Sequence, residues 1–556
     1  MRINRNHPAT LMVVDPDAVA AGSGESAREL DGSRPAFTGL GDLLDQHVRD
    51  RPNARALVVT GDRGGVSYSV LARVVDDVAA RLRNTGLRPR DAVGIVCANT
   101  AEFVVALLGA ARAGLVVAPL DPALPQSEMS TRLQGLGAQA ILVGPLATDV
   151  APVAVDQIPT WQLRVDISGG GIPTVALEIG GRVERHVTGA ATELSDDDAL
   201  VLFTSGTTGT AKMVPLTHTN VAASARAIVA TYELGPADST VAVMPLFHGH
   251  GLLAVLLASL ASGGCVALPE RGGFSAHTFW DDVRAVGATW FTAVPTIHQI
   301  LLQRSAREYP GRQTVPLRFA RSCSAPLDVS TGQAMERLLG EPVLSAYGMT
   351  ETSHQAASES QRHPESRKPG SVGQASGVDI RIVDNSGRTC PAGAVGEVWV
   401  HGPTVARGYL AAPSATAESF ANGWFRTGDL GSLDVDGCLF ITGRIKNIIN
   451  RGGEKISPEH VEAVLVGCGG VTEAAVFAIP DAMYGERVGA AVVCDGNSVT
   501  AEEILRTCRS ELSRFEVPDR IEVVAALPHT AKGALDRGAV ADKYAQPADS
   551  SRREAL

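Results

Sequence analysis

Val201-Leu202-Phe203-Thr204-Ser205-Gly206-Thr207-Thr208-Gly209-Thr210-Ala211-Lys212 is an apolar strand that opens into a loop of glycine and hydroxyl residues and closes on lysine. Gly206 and Gly209 permit tight turns that aim backbone N–H groups inward. Thr204, Ser205, Thr207 and Thr208 add neutral donors and Lys212 adds charge, which together are the components of a phosphate cradle. The spacing is not the G-x-x-x-x-G-K-[S/T] of the common nucleotide hydrolases, which runs into a helix. Lys212 leads instead into a second apolar run, Met213-Val214-Pro215-Leu216, and then through Thr217-His218-Thr219 to a helical stretch from Asn220 to Thr231. Strand, loop and strand predict a flap over a triphosphate. The same composition suits an ordinary polar turn, so the stretch needs support from elsewhere in the chain.

Around it, apolar runs alternate with amphipathic stretches. Val93-Gly94-Ile95-Val96-Cys97 precedes a helical Ala101 to Ala113, and Leu115-Val116-Val117-Ala118-Pro119-Leu120 reads as the next buried strand. Such alternation predicts an α/β fold with parallel-sheet layers. Later, Gly396-Glu397-Val398-Trp399-Val400-His401-Gly402 and Cys438-Leu439-Phe440-Ile441-Thr442 are short strands between turns, a small β-rich subdomain. After Asn447 a compact α+β unit is expected, in which Ser457 caps a helix with Pro458 at its first position and Val461, Val464 and Leu465 on its apolar stripe.

The chain's 556 residues exceed one hydrophobic core, so two or more domains are expected. A formal charge of −11, with no lysine- or arginine-rich run, argues against a nucleic-acid or membrane-surface binder. No run of eighteen apolar residues suggests membrane insertion. Cys97, Cys265, Cys323, Cys390, Cys438, Cys468, Cys494 and Cys508 are scattered without C-x-x-C spacing, as in a cytoplasmic protein with reduced thiols and no structural zinc. Residues 1–36 and 544–556 are polar or aperiodic and read as flexible tails.

Three further motifs follow the phosphate loop in order. They are Tyr347-Gly348-Met349-Thr350-Glu351-Thr352, Gly423-Trp424-Phe425-Arg426-Thr427-Gly428-Asp429, and Gly443-Arg444-Ile445-Lys446-Asn447 through Arg451-Gly452-Gly453-Glu454-Lys455-Ile456-Ser457-Pro458. With the loop they resemble the adenylate-forming superfamily of acyl-CoA synthetases, luciferases and peptide-synthetase adenylation domains, from about Phe37 to Arg537. The resemblance implies a large N-terminal domain at 37–443, a hinge at 444–447 and a small mobile C-terminal domain at 448–543. It implies ATP, Mg²⁺ and CoA as reactants or cofactors. An acid is joined to AMP with loss of pyrophosphate, and the thiolate of CoA then takes the acyl group. Catalytic roles fall to Lys212, Thr350, Glu351 and Lys532, and ATP contacts to Thr204, Ser205, Gly206, Thr207, Thr208, Gly209, Lys212, Ser324, Ala325, Tyr347, Gly348, Thr350, Asp429 and Arg444. Glu351 is the implied Mg²⁺ ligand, Asp429 the acceptor for the ribose hydroxyls, Asn447 the pivot, and Gly452 with Gly453 the border of the CoA channel. Asn tolerates positive φ better than most residues with a Cβ, which suits a pivot.

Pro245-Leu246-Phe247-His248-Gly249-His250-Gly251-Leu252, Ala288 through Gln299, and Arg321-Ser322-Cys323-Ser324-Ala325 with His354 resemble oxalyl-CoA synthetases within that superfamily. His248, His250, Ser322, Ser324 and His354 then line the acid site, and a buried anion needs such donors. One departure concerns the C-terminal motif P-x-T-x-x-G-K, which here reads Pro528-His529-Thr530-Ala531-Lys532-Gly533-Ala534. Ala534 stands where the family has lysine. Lys532 lies two residues earlier, on the same face of an extended backbone. The departure leaves open a CoA-free relative that adenylates nitrite to diazotise an aryl amine, and a non-catalytic nucleotide binder. A fatty-acid CoA ligase is the remaining alternative, against which the polar acid site speaks.

Overall fold

The structure is a computed structural model that describes residues 37–61, 64–145, 155–166, 174–179, 183, 189–204, 211–496, 499–529 and 535–545. Ser205, Gly206, Thr207, Thr208 and Gly209 of the phosphate loop, the segment 1–36, and Lys532 with Ala534 lie outside the described residues.

The predicted alternation is realised as a seven-stranded sheet in the order Thr174–Glu178, Thr160–Asp166, Ala140–Val143, Ala92–Val96, Val116–Leu120, Asp198–Phe203, Met213–Thr217. Its centre is parallel, and each edge is antiparallel. Ala92–Val96 and Val116–Leu120 are buried at every position, as strands covered on both faces must be. Helix Ala101–Arg112 is therefore apolar all round and packs between the sheet and helix Tyr68–Arg83.

A second sheet runs Trp290–Ala293, Phe319–Ser322, Val343–Tyr347, Ala357–Ser358, Gln374–Ala375, with its first three strands parallel. Thr204, Ser324 and Gly348 all follow the carboxyl ends of strands, where open α/β sheets gather ligands. The β-rich subdomain is an antiparallel sheet of Asp379–Val383, Gly396–His401, Phe420–Ala421, Trp424–Leu433 and Leu439–Arg444.

Beyond Ile445–Asn447, the C-terminal unit builds its sheet on the long hairpin Val471–Asp481 and Gly485–Cys494. Ser457 caps helix Pro458–Gly467 as expected, accepting from the His460 N–H at 3.4 Å. Val461 and Leu465 are buried beside Val488 and Ile504, each contributing about 1.5–3 kcal/mol by leaving water. The C-terminal boundary shifts slightly. Tyr544 does not begin a tail but ends helix Arg537–Tyr544 and is buried against Phe477. All eight cysteines are free, and no helix of the described residues is long and apolar enough to cross a membrane.

Candidate active site

The flap predicted from the opening stretch is present at its base. Phe203 pairs with Met213, and the Thr204 N–H donates to the Lys212 carbonyl at 3.0 Å, closing the neck of the loop. The Lys212 ammonium lies 4.3 Å from the centroid of the Tyr409 ring. Tyr409 in turn donates its hydroxyl to Glu351 Oε1 at 2.8 Å, and burial followed by the Glu351 charge raises its phenol pKa. Tyr409 thus joins the two motifs, although no motif in the sequence contains it. Glu351 is buried, and no cluster of three or more His, Cys, Asp or Glu among the described residues could hold a metal alone. A single carboxylate fits Mg²⁺ shared with substrate phosphates, because that ion keeps several waters and seldom takes an all-protein cage.

The residues expected to hold the ribose are brought together by strand register. Asp429 stands directly opposite Arg444 across Trp424–Leu433 and Leu439–Arg444, and Arg444 Nε donates to Asp429 Oδ1 at 2.6 Å. Tyr347 donates to Asp429 Oδ2 at 2.7 Å. A carboxylate has about four acceptor positions, so both oxygens retain capacity for a ribose diol. Burial, and then the Asp429 charge, push the Tyr347 phenol well up and keep it a donor. Gly348 is required by close approach: a Cβ there would sit 1.6 Å from the His354 carbonyl oxygen. The chain therefore doubles back tightly through Thr350–Thr352, delivering Thr350 and Glu351 on one side and His354 on the other.

Three of the residues expected to bind the acid, His250, Ser324 and His354, gather around one that the motif reading did not name as a site residue. Arg321 is fully buried at the end of Phe319–Ser322. Its Nε donates to Tyr232 at 2.7 Å, Nη1 to His250 Nε2 at 3.2 Å and Thr292 Oγ1 at 3.1 Å, and Nη2 to His354 Nε2 and Gln355 Oε1, both at 3.1 Å. The His250 and His354 rings stack 5.0 Å apart, and Ser324 Oγ lies 3.1 Å from His250 Nδ1. Burial first, then His354, Arg321, His298 and His248, hold His250 well below the ordinary histidine range; burial and then Arg321 do the same for His354. His248 packs its ring against Phe247 and adds to the charge felt by His250. Ser322 is not brought into this cluster. Strand alternation turns it away from Arg321, and its buried Oγ has no hydrogen-bond partner. Ser324, Ser353 and His354 hold φ values of 73°, 50° and 82°, left-handed backbone that is costly for residues with a Cβ and that gathers at functional sites. Ala325 is exposed beside Ser324.

In the segment expected to be the hinge, Asn447 Nδ2 donates to Glu459 Oε1 at 2.7 Å, and Arg537 pairs with Glu459 and Glu462. Ser457 Oγ donates to the Thr442 carbonyl at 2.5 Å. Asn447 lies in a short 3₁₀ turn and not at positive φ, so in this conformation it serves through its amide and not through backbone tolerance. Gly452 and Gly453 do take positive φ, 60° and 97°, in the turn between Ile449–Arg451 and Glu454–Ile456. If Asn447 is the pivot, Asn447→Pro, which fixes φ near −65°, should slow thioester formation more than acyl-adenylate formation. Asn447→Ala, which removes only the amide contact, should separate the rates less. Stopped-flow assays of each half-reaction decide this, and equal losses in both steps would remove the pivot role.

Residues 44–410 match the family model described as AMP-binding enzyme, and residues 460–534 match the AMP-binding enzyme C-terminal domain. An oxalate–CoA ligase of Arabidopsis thaliana is 41% identical over 91% of this chain and 98% of its own length. An oxalate–CoA ligase of Saccharomyces cerevisiae is 37% identical over 82% of this chain and 87% of its own. Among solved structures, ATP-bound MatB from Rhodopseudomonas palustris superposes with a TM-score of 0.77 at 29% identity, covering 91% of this chain and 99% of that one.

Proposed function

The chain belongs to the AMP-binding enzyme family, and from that premise we propose that it joins oxalate, or an acid as compact and as charged, to CoA through an acyl-adenylate. It is an AMP-forming acid–CoA ligase. The observation that carries the choice of acid is the cluster of buried Arg321, His250 and His354 with the exposed Ser324, beside the turn that holds Thr350 and Glu351. A long apolar acid would leave the Arg321 charge without a counter-ion and the Ser324 hydroxyl proton without an acceptor, at a cost of about 1–3 kcal/mol for each polar group left unpaired. Thioester formation in the relatives disfavours both the CoA-free diazotisation and the non-catalytic reading.

In this reading the acid's carboxylate attacks the α-phosphorus of ATP and pyrophosphate leaves. Glu351 would hold Mg²⁺, which neutralises the phosphates. Lys212 and the backbone donors of its loop bind the β- and γ-phosphates, and the Thr350 hydroxyl contacts the α-phosphate. Asp429 accepts from the ribose hydroxyls, with Arg444 fixing its orientation through the ion pair. Glu351 is itself oriented by Tyr409, whose ring also meets the Lys212 ammonium, so one side chain links the residue that would hold the metal to the lysine. Gly452 and Gly453 border the path of the thiol arm in the second step, where missing side chains leave room. The eight free cysteines fit a reducing, cytoplasmic setting.

Pyrophosphate release tests the acid. Oxalate should drive it far better than palmitate, and equal or faster turnover with palmitate would overturn the assignment. His354→Ala should raise KM for oxalate roughly 10- to 100-fold, the worth of a hydrogen bond to a charged group, and leave KM for ATP within about threefold.

A further inference from the structure

Arg321 is fully buried, and each of its five N–H groups meets a neutral acceptor: Tyr232, Thr292, Gln355, His250 and His354. Among the described residues it has no carboxylate partner at ion-pair distance, whereas Arg318, on the same strand's flank, pairs with Asp238. A guanidinium in a protein stays charged, and a buried charge without a counter-ion costs several kcal/mol. Structure alone does not repay that cost. The outer acceptors are themselves fixed, since Tyr232 also contacts Ser358 Oγ and Gln355 Nε2 donates to Ser376. The surroundings are thus built to hold this charge in place.

The guanidinium also dictates the state of two histidines. It has only donors, so His354 Nε2 must accept from it, and His250 Nε2, 3.2 Å from Nη1 and 2.6 Å from Thr292 Oγ1, accepts from both when the Thr292 hydroxyl turns its proton to the ring. In that arrangement neither ring carries a proton on Nε2, and each is neutral with its proton on Nδ1. His250 Nδ1–H then donates to Ser324 Oγ, which frees the serine hydroxyl proton to donate onward.

We propose that Arg321 is the positioning residue that makes this site select an acid with a second negative charge: it locks His250 and His354 as Nδ1–H donors and supplies, from behind them, the fixed positive charge that the second carboxylate neutralises. The proposal rests on the assignment of the acid site to this cluster. It makes the site a reader of charge and not only of size. Oxamate, which replaces one carboxylate of oxalate by an amide of nearly the same shape, is the discriminating probe.

Two measurements on the unaltered enzyme come first. Long-range ¹⁵N–¹H correlation spectra at neutral pH, with His250 and His354 assigned by substitution, should show both rings as the Nδ1–H tautomer. Pyrophosphate release should favour oxalate over oxamate in kcat/KM by on the order of 10²-fold, the penalty for leaving a buried charge unpaired. Arg321→Met should then bring the ratio to within about threefold, chiefly by raising KM for oxalate with KM for ATP held, and should let Nε2–H tautomers appear. Arg321→Lys, which keeps the charge but not the fork, should restore part of the preference. An Nε2–H or doubly protonated ring in the unaltered enzyme overturns the proposal, as does a variant that loses both acids in equal proportion. If oxalate is used but not preferred to oxamate, the Arg321 proposal fails and the oxalate assignment stands. If neither acid is used while both rings report Nδ1–H, the oxalate assignment fails and acid selection by Arg321 falls with it. Should Arg321→Met not fold, the spectra and the acid ratio of the unaltered enzyme still decide.

Discussion

Lys532→Ala is expected to lower ATP-dependent pyrophosphate release by about 10²- to 10³-fold, the range seen when one preorganised electrostatic donor is removed from a charged transition state. During adenylation negative charge builds on the attacking carboxylate and the α-phosphate. The family places a lysine against both, whereas this chain has Ala534 at that position and Lys532 two residues before it. In extended backbone two residues span about 6.6 Å on one face, within the compass of a lysine stem. If Lys532 takes over the role, Ala534→Lys adds little. If it does not, Ala534→Lys should accelerate adenylation by the same 10²- to 10³-fold and Lys532→Ala should be silent. Thioester formation from preformed acyl-adenylate should respond to neither substitution, because the C-terminal domain then presents its other face. Adenylation indifferent to both would show that no lysine of this segment takes part.

Acid should destabilise the protein well above the range in which carboxylates titrate. Burial holds His298 down to about 4, with the Arg321 carbonyl pulling weakly the other way, and neither ring nitrogen meets a partner at good hydrogen-bond geometry. His250 and His354 are also held well below the ordinary value of 6.5. A histidine kept neutral in the fold binds fewer protons there than in the unfolded chain. Between pH 6.5 and 4 stability therefore falls as pH falls, and above 6.5 these groups contribute no slope. His298 alone should cost about 2 kcal/mol between pH 7 and pH 5, with His250 and His354 adding to it. Asp282, Glu359 and Glu462, raised chiefly by burial, oppose the trend, since an acid held above its usual range favours the fold as pH drops. The net loss should show in urea midpoints at pH 7, 6 and 5, and His298→Phe should flatten the curve. A midpoint independent of pH across that interval, or an unchanged slope in His298→Phe, would contradict it.

The opening stretch and the three motifs after it were readable because each packs its chemistry into a short contiguous segment. A strand, a glycine turn and a lysine within a dozen residues supply the parts of a phosphate loop, and the motifs after it favour that reading over an ordinary polar turn. The pairing of Phe203 with Met213 and the helix cap at Ser457 follow from spacing and residue type alone. Asp429 and Arg444 were likewise found by motif, though their 2.6 Å contact comes from strand register. The reading went astray where side-chain direction mattered. Ser322 and Arg321 are adjacent in one strand, and the pleat sends them to opposite faces, so naming the serine passed over the arginine.

Sequence by itself therefore determined the α/β architecture and the β-rich subdomain, and it raised the expectation of where a nucleotide and a small polar acid would bind. Tertiary structure alone added Arg321 and Tyr409 and turned Ser322 away. Arg321 meets partners 29, 33, 34, 71 and 89 residues away in the chain, and Tyr409 reaches Glu351 across 58. No local spacing encodes such contacts. They arise because two helix ends, a neighbouring strand and a tight turn converge on the end of Phe319–Ser322, where a buried charge must satisfy every donor it carries.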